Sequence, residues 1–368
     1  MNLAIALSVL DRQQEAIEHF NQAIALKPDF AEAKINLGAF HLSHGRFAEG
    51  WDAYEQLVEN LRRYVQPRWN GQQVKGALLV WGEQGLGDQI LHAGMIPEIQ
   101  ARAGSVILEV EPRLVPLFAR SFPGVRVIGL AATPYVGEID AHEPISGLGR
   151  FLRTRWEQFP KRREGYLTAD HAQTGDLRRR LNGEADFVIG LSWLSHSPQR
   201  GVSKSAKLRN FASLLRLPGC RFVDLQYGDT RAERDLVERE LGIRVERLEE
   251  IDNTGDIDGL AALITACDVV VTVSNTTAHL AGALGKPTWV MVPHGYARLW
   301  YWFRDREDSP WYPNLHLKRQ ARGQPWADLV ASATADVSQF LRSGGNTAGA
   351  FEISGATERA AGSAPGVA

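Results

Sequence analysis

Short apolar runs, each closed by a turn rich in glycine or hydroxyl residues and then by a helical pattern, constrain this chain most. Ala77-Leu78-Leu79-Val80-Trp81 leads into Gly82-Glu83-Gln84-Gly85-Leu86-Gly87-Asp88, and a helical pattern starts at Gln89. A strand that is apolar at successive positions is buried on both faces, as in a parallel sheet covered by helices. Residues 105–110 and 125–130 read as further strands of that sheet. A second alternation opens at Phe187. Its strands are predicted at 187–191, 221–225, 243–248, 268–273 and 288–292, and its helices at 230–241, 260–266 and 276–284. Residues 131–180 carry Pro134, Pro144, Pro160 and the basic stretch Lys161-Arg162-Arg163, and read as the end of the first sheet and a linker. The pattern implies two doubly wound α/β sheets in tandem, with a ligand cleft at the carboxyl ends of their strands.

An internal repeat precedes them. Shifted by 34, residues 1–26 fall on similar residues: Asn2-Leu3-Ala4 on Asn36-Leu37-Gly38, Asp11 on Gly45, Ala16 on Gly50 and Phe20 on Tyr54. That period, with small residues at fixed points, is the spacing of tetratricopeptide repeats; an ordinary pair of helical hairpins is the alternative. Pro28, in Lys27-Pro28-Asp29-Phe30, stops the preceding helix. Leu26, Phe30, Leu37, Phe40, Phe47 and Tyr54 supply the apolar filling. Two repeats bury too little of their faces to stand alone, so they either dock on the next domain or continue an upstream array. Such repeats bind partner proteins and carry no chemistry.

Lys plus Arg number 41 and Asp plus Glu 43, a net charge of −2. So balanced a chain has no field to hold a polyanion, which argues against nucleic-acid binding. The 2 cysteines, Cys220 and Cys267, exclude a disulfide framework and a Cys-rich zinc site. No apolar run is long enough to span a membrane, and no leader pattern precedes residue 10. The expectation is a cytoplasmic protein, free or peripheral at the inner membrane.

Several segments carry candidate chemistry. Asp88 is either the cap of the helix that follows or a general base, with His92 one turn on along the same face. Gly85 and Gly87 let a ligand approach the chain. Ser274-Asn275-Thr276-Thr277-Ala278-His279 ends one strand and opens a helix, where free amides favour phosphate. Residues 192–207 offer Ser195, Lys204 and Lys207 as a polar loop. Asp256-Ile257-Asp258 has a D-x-D form used to hold metal-bound nucleotides, though helix capping accounts for it better. Trp300, Trp302, Trp311 and Tyr312, beside Arg298, Arg304 and Arg306, either wall a sugar or base site or pack between domains.

Four segments carry a resemblance: residues 81–92 (WGEQGLGDQILH), Leu225-Gln226-Tyr227-Gly228-Asp229, residues 260–293 with VSNTTAHLAGALGKP, and residues 305–320 (DREDSPWYPNLHLKRQ). With the repeats, they resemble bacterial tetratricopeptide-containing GT-B glycosyltransferases of the heptosyltransferase type. The resemblance implies a short all-α repeat segment at 1–66, a Rossmann-like acceptor domain and linker at 67–180, and a Rossmann-like nucleotide-sugar domain at 181–342. A disordered tail is expected at 343–368. Asp88 matches the catalytic aspartate. Ser274, Asn275, Thr276, Thr277 and His279 match the donor turn by position, with Ser274 where that family carries Asp. Lys204, with Ser195 in the same loop, matches the diphosphate grip. Gly85, Gly87, His92, Trp311 and Tyr312 fall in the acceptor and loop segments. The implied activity is inverting, metal-independent transfer from a nucleotide-diphosphate sugar to a hydroxyl on a protein or glycan acceptor, with no cofactor. Two rivals remain: a binding protein that keeps only the sugar nucleotide, and a sugar-nucleotide epimerase.

Overall fold

The chain's first half holds a four-stranded sheet and its second half a six-stranded one, and all strand pairs within them are parallel. This computed structural model describes residues 1–344 apart from 60–62, 162–163, 184 and 198–199. The expected tail lies, from residue 345 on, outside the described residues, as do Arg162 and Arg163 of the basic stretch. In the first sheet β1 (Val74–Trp81), β2 (Ala103–Val110), β3 (Val125–Gly129) and β4 (Ala141–Pro144) lie in the order β3-β2-β1-β4. The second contains β5 (Phe187–Ser192), β6 (Cys220–Asp224), β7 (Val245–Glu246), β8 (Val269–Val273), β9 (Thr288–Val292) and β10 (Leu315–Arg319), in the order β10-β9-β8-β5-β6-β7. Read from its first strand, each sheet follows the doubly wound order 3-2-1-4, and the second continues to 5 and 6. The order reverses beside β1 in one sheet and beside β5 in the other. Ligands of open α/β sheets bind in the crevice at that reversal.

β4 and β10 escape the sequence pattern. β4 is the four residues Ala141-His142-Glu143-Pro144, all buried although two are ionisable. The Arg68 guanidinium pairs with Glu143, and the Trp81 indole donates to His142 at 3.2 Å, so both polar side chains have partners inside. β10 alternates apolar and basic residues at the sheet edge. Within the expected linker, the helix His171–Asn182 packs on the second half, where Arg178 pairs with Asp268 and donates to the Ala266 carbonyl.

The N-terminal segment forms two helical hairpins: α1 (Asn2–Val9) with α2 (Gln13–Leu26), and α3 (Ala31–Ser43) with α4 (Phe47–Tyr54). Their turns contain Asp11 at φ 59° and Gly45 at φ 72°, so the two positions aligned by the 34-residue shift share a left-handed backbone. Gly38 and Gly50 let α3 and α4 touch. A Cβ on Gly38 would sit 2.6 Å from the Tyr54 nitrogen.

Both turns also dock the segment. Arg304 pairs with Asp11 and donates to the Ser8 carbonyl at 3.0 Å. The Trp156 ring fills the space beside Gly45. Phe47 packs edge-on to Trp156 and Phe303, and Trp51 to Trp300. The hairpins are thus held to both halves, as the reading that they dock on the next domain expects.

Gly38→Val is expected to splay the α3–α4 hairpin. Overpacking of this kind costs about 1–3 kcal/mol. Urea denaturation of the full chain measures it; stability equal to wild type would mean that this helix contact is not tight.

Candidate active site

The loop after β1, the loop after β5 and the turn after β8 meet at the two points of strand-order reversal. Asp88 comes from the first, Lys204 from the second and Thr276 from the third. The β1 loop is held from within. Gln89 is buried, its Nε2 donates to the Gln84 carbonyl at 2.8 Å, and its Oε1 accepts from the Glu111 amide at 2.9 Å. Gly82 leaves the room that this amide occupies, since a Cβ there would lie 2.5 Å from it.

Asp88 lies in the first turn of α5 (Leu86–Ala93) and does not cap it. The N-cap is Gly85, with no side-chain cap bond and an extended backbone that any residue adopts. Burial pushes the Asp88 carboxyl up to about 6, while Lys204 and Arg200 pull it down. Lys204 ends the short helix Gly201–Lys204 and is only 6% exposed. Among the described residues its ammonium has neither a hydrogen-bond acceptor nor an acidic partner within 4.0 Å. Burial and Arg200 push it down to about 8, and Asp88 acts in the opposite sense. A carboxylate and an ammonium, each poorly solvated, therefore sense one another without forming an ion pair.

Sequence reasoning missed Arg200 in the same loop. Its guanidinium lies over the Tyr296 ring at 4.6 Å and donates to that hydroxyl at 3.1 Å, and its Nε is buried without a partner. The signal was the run of basic residues in the loop. Lys207, the other candidate, is exposed at the start of the next helical turn. Ser195 is buried beside Tyr227, and its amide donates to the Ser205 hydroxyl at 2.9 Å.

The turn into α7 (Thr276–Ala283), with α6 (Ile257–Ala266) preceding it in the chain, departs from a row of ligand-facing groups. Asn275 caps α7: its Oδ1 accepts from the Ala278 amide and its Nδ2 donates to the Ser192 hydroxyl at 2.7 Å. Thr277 reaches the same hydroxyl at 3.3 Å. Ser192 in turn donates to Gln226 Oε1, which also accepts the Trp193 and Leu194 amides. This buried polar knot ties together the ends of β5, β6 and β8. Ser274 accepts from the Trp302 indole at 2.7 Å. Of the four residues from 274 to 277, Thr276 alone is incompletely buried, and its hydroxyl forms no hydrogen bond among the described residues.

His279 matches the donor turn by position, but both its ring nitrogens are engaged. Nδ1 bonds the Tyr312 hydroxyl at 3.0 Å and Nε2 the Tyr301 hydroxyl at 3.1 Å, while the ring stacks on Trp302. Burial and Lys204 push it down to about 3, so it is neutral. Gly87 faces the same ring, and a Cβ there would come 2.9 Å from it. Gly87 thus serves the approach of α5 to α7 across the two halves. Trp311 and Tyr312 are buried among Phe159, Trp300, Tyr166 and His279, so of their two expected roles they take packing between domains. His92 donates from Nδ1 to the Asp88 carbonyl at 2.8 Å, and burial pushes it down to about 4.

The D-x-D triplet is fully occupied by structural contacts. Asp256 caps α6 through the Gly259 amide at 2.8 Å, and Asp258 pairs with Arg120 of the first half.

No protein-family model matches the chain. Protein FlbA of Caulobacter vibrioides is 33% identical over 337 residues, covering 84% of this chain and 56% of that protein. The chain therefore spans little more than half the length of that relative. A family 9 glycosyl transferase of Veillonella parvula superposes with a TM-score of 0.52 at 12% identity, over 74% of this chain and 99% of the other. The E. coli ADP-heptose lipopolysaccharide heptosyltransferase II reaches 0.48 at 14% identity, over 73% and 98%. The Veillonella match shows the fold: paired parallel α/β sheets of the GT-B kind. Among the described residues, no helix is long and apolar enough to cross a membrane.

Asp88 carries a test of its environment. Its folded carboxyl, at about 6, binds a proton more tightly than an unfolded Asp near 3.8. Ionisation therefore opposes folding, and stability falls as pH rises through that window. Asp88→Asn is expected to match wild type at the acid end of the window and to exceed it at neutral pH in urea melts. A wild-type advantage at neutral pH would mean that Lys204 stabilises the carboxylate more than burial disfavours it.

Proposed function

We propose that this chain is a metal-independent, inverting glycosyltransferase that moves a sugar from a nucleotide-diphosphate sugar to a hydroxyl on a protein or glycan. The observation that carries the reading is that Asp88 and Lys204, each desolvated, feel one another's charge where the first turn of α5 meets the first turn of α7. The fold shared with a family 9 glycosyl transferase supports the reaction class. Asp88 accepts the acceptor's hydroxyl proton as that oxygen attacks the anomeric carbon. The bond from that carbon to the diphosphate breaks on the opposite face, so the centre inverts. The negative charge left on the diphosphate falls to Lys204, Arg200 and the free amides at the start of α7. At neutral pH a carboxyl near 6 is ionised and an ammonium near 8 is protonated, as a base and an anion clamp require. The helical hairpins are read as tetratricopeptide repeats that recruit a protein partner.

One observation favours the rival reading of a binding protein. Ser274, where an Asp would stand in heptosyltransferases, is turned to Trp302 and offers the cleft no carboxylate. Product formation from bound donor separates the two.

Transfer is expected to follow a bell in pH, rising near 6 with Asp88 and falling near 8 with Lys204. His92 and His279, depressed to about 4 and about 3, stay neutral across that range. Asp88→Asn should remove the acid limb and lower kcat by about 10²–10⁴-fold, and a chelator should change nothing. A folded Asp88→Asn protein with full activity would return the residue to a structural role.

Thr276→Glu is expected to place a carboxylate at the anion site. A thermal-shift panel of nucleotide-diphosphate sugars identifies the donor, since a ligand at 100 times its Kd adds about 2.7 kcal/mol of stability. For that donor the variant should raise Kd strongly with Tm nearly unchanged. Unaltered affinity would move the diphosphate elsewhere.

A further inference from the structure

The helical hairpins and the second half enclose a cavity of about 110 Å³ that opens to solvent. Small-molecule pockets run to about 300–1,000 Å³, so this one is too small for a nucleotide sugar and suits a single side chain or a small anion. Its two walls differ in chemistry. The hairpin wall is largely apolar, with Ile5 and Val9 of α1, Phe20 of α2, and Ala39 and Phe40 of α3. The opposite wall carries Arg200 of the β5 loop, with Arg298 and Arg304 of the segment after β9. Among the described residues, no acidic side chain lines the cavity.

The three arginines are not equally satisfied. Arg304 pairs with Asp11 and donates to the Ser8 carbonyl. Arg298 is half-buried, and among the described residues its guanidinium forms neither a hydrogen bond nor an ion pair. Burial and Arg304 push it below its ordinary value, while Asp11 and Asp305 act in the opposite sense. Arg200 bonds the Tyr296 hydroxyl, but its Nε is buried without a partner. Arg306, the remaining arginine beside the aromatic stretch, pairs with Asp308 and does not line the cavity. A cation withdrawn from water without a counter-charge costs free energy that a bound anion returns.

We propose that this cavity is a docking site for an acidic peptide segment, with one Asp or Glu carboxylate held by Arg298 and Arg200 and its stem laid against the apolar hairpin wall. An inorganic anion would meet the arginines and leave that wall unused, whereas a carboxylate on a short methylene stem meets both walls. The guanidinium fork matches a carboxylate in two hydrogen bonds. The proposal rests on the reading of the hairpins as a module that recruits a protein, and not on the transfer chemistry. Arg200 is already assigned to the donor diphosphate, so Arg298 is the group that belongs to this site alone.

The test titrates the full chain in a calorimeter with hexaglutamate and hexaglutamine, both blocked at their ends, and with inorganic phosphate. Hexaglutamate is expected to bind, more weakly as salt rises, and hexaglutamine at least about tenfold less tightly. Arg298→Gln should weaken hexaglutamate about tenfold or more, as the loss of a charge-assisted hydrogen bond does, with Tm and donor Kd at their wild-type values. Arg298→Lys keeps the charge without the fork and should fall between. In the wild-type chain, which needs no variant to fold, hexaglutamate should slow amide hydrogen exchange in α1, α3 and residues 295–300. Unchanged exchange there, or full affinity in Arg298→Gln, would overturn the proposal. Equal binding of the two peptides would leave the hairpins a peptide-binding module and overturn the acidic site. Phosphate bound through Arg298 with no binding of hexaglutamate would make this a site for free anions and overturn it as well. A chain that binds hexaglutamate through Arg298 and transfers no sugar would instead overturn the glycosyltransferase reading alone.

Discussion

The structure depends on one close approach: the first turn of α5 lies against the first turn of α7, with Gly87 on one side and the His279 ring on the other. The two helices touch because position 87 has no side chain and His279 is locked. Two tyrosine hydroxyls hold its nitrogens and Trp302 covers one ring face. A ring so placed is neutral, and a neutral ring can be buried between halves without an ion to balance it.

Around that contact, ionisable groups are shifted toward their neutral forms. His92 and His279 are depressed, Asp88 is raised and Lys204 is lowered. Desolvation is the first cause in all four. An acid and a base drawn toward neutrality within one cleft are the arrangement that proton transfer at neutral pH needs. The same desolvation opposes folding at Asp88, so the site is held together by what surrounds it. That support is the buried knot of Ser192, Gln226, Asn275 and Thr277, together with the aromatic packing that runs from Trp51 through Trp300 to Trp311.

The helical hairpins belong to this support. Arg304 on Asp11 ties the first turn to the second half, and Trp156 beside Gly45 ties the second turn to the segment after β4. The hairpins therefore bridge the halves on the side where Tyr54 and Trp51 enter.

The sequence by itself determined the elements whose pattern is local. Uninterrupted apolar runs such as Leu78–Trp81 are buried on both faces whatever surrounds them, so both parallel sheets were legible. The 34-residue repeat was legible for the same reason, because small residues at Gly38 and Gly50 are a local condition for paired helices. Asp88 and Lys204 were legible as residues at strand ends. Only the tertiary structure decided what each polar group does. β4 carries His142 and Glu143, and nothing local reveals that Trp81 and Arg68 await them. The 274–279 turn read as a row of ligands, yet Ser274, Asn275, Thr277 and His279 are taken by Trp302, Ser192, Tyr301 and Tyr312, which come from distant parts of the chain. Thr276 is left open because no such partner reaches it. Tyr54 looked like repeat filling because its neighbour Trp300 is far along the chain. A hydrogen bond or a desolvated charge is a property of a pair, and the pairs at this site are made by folding.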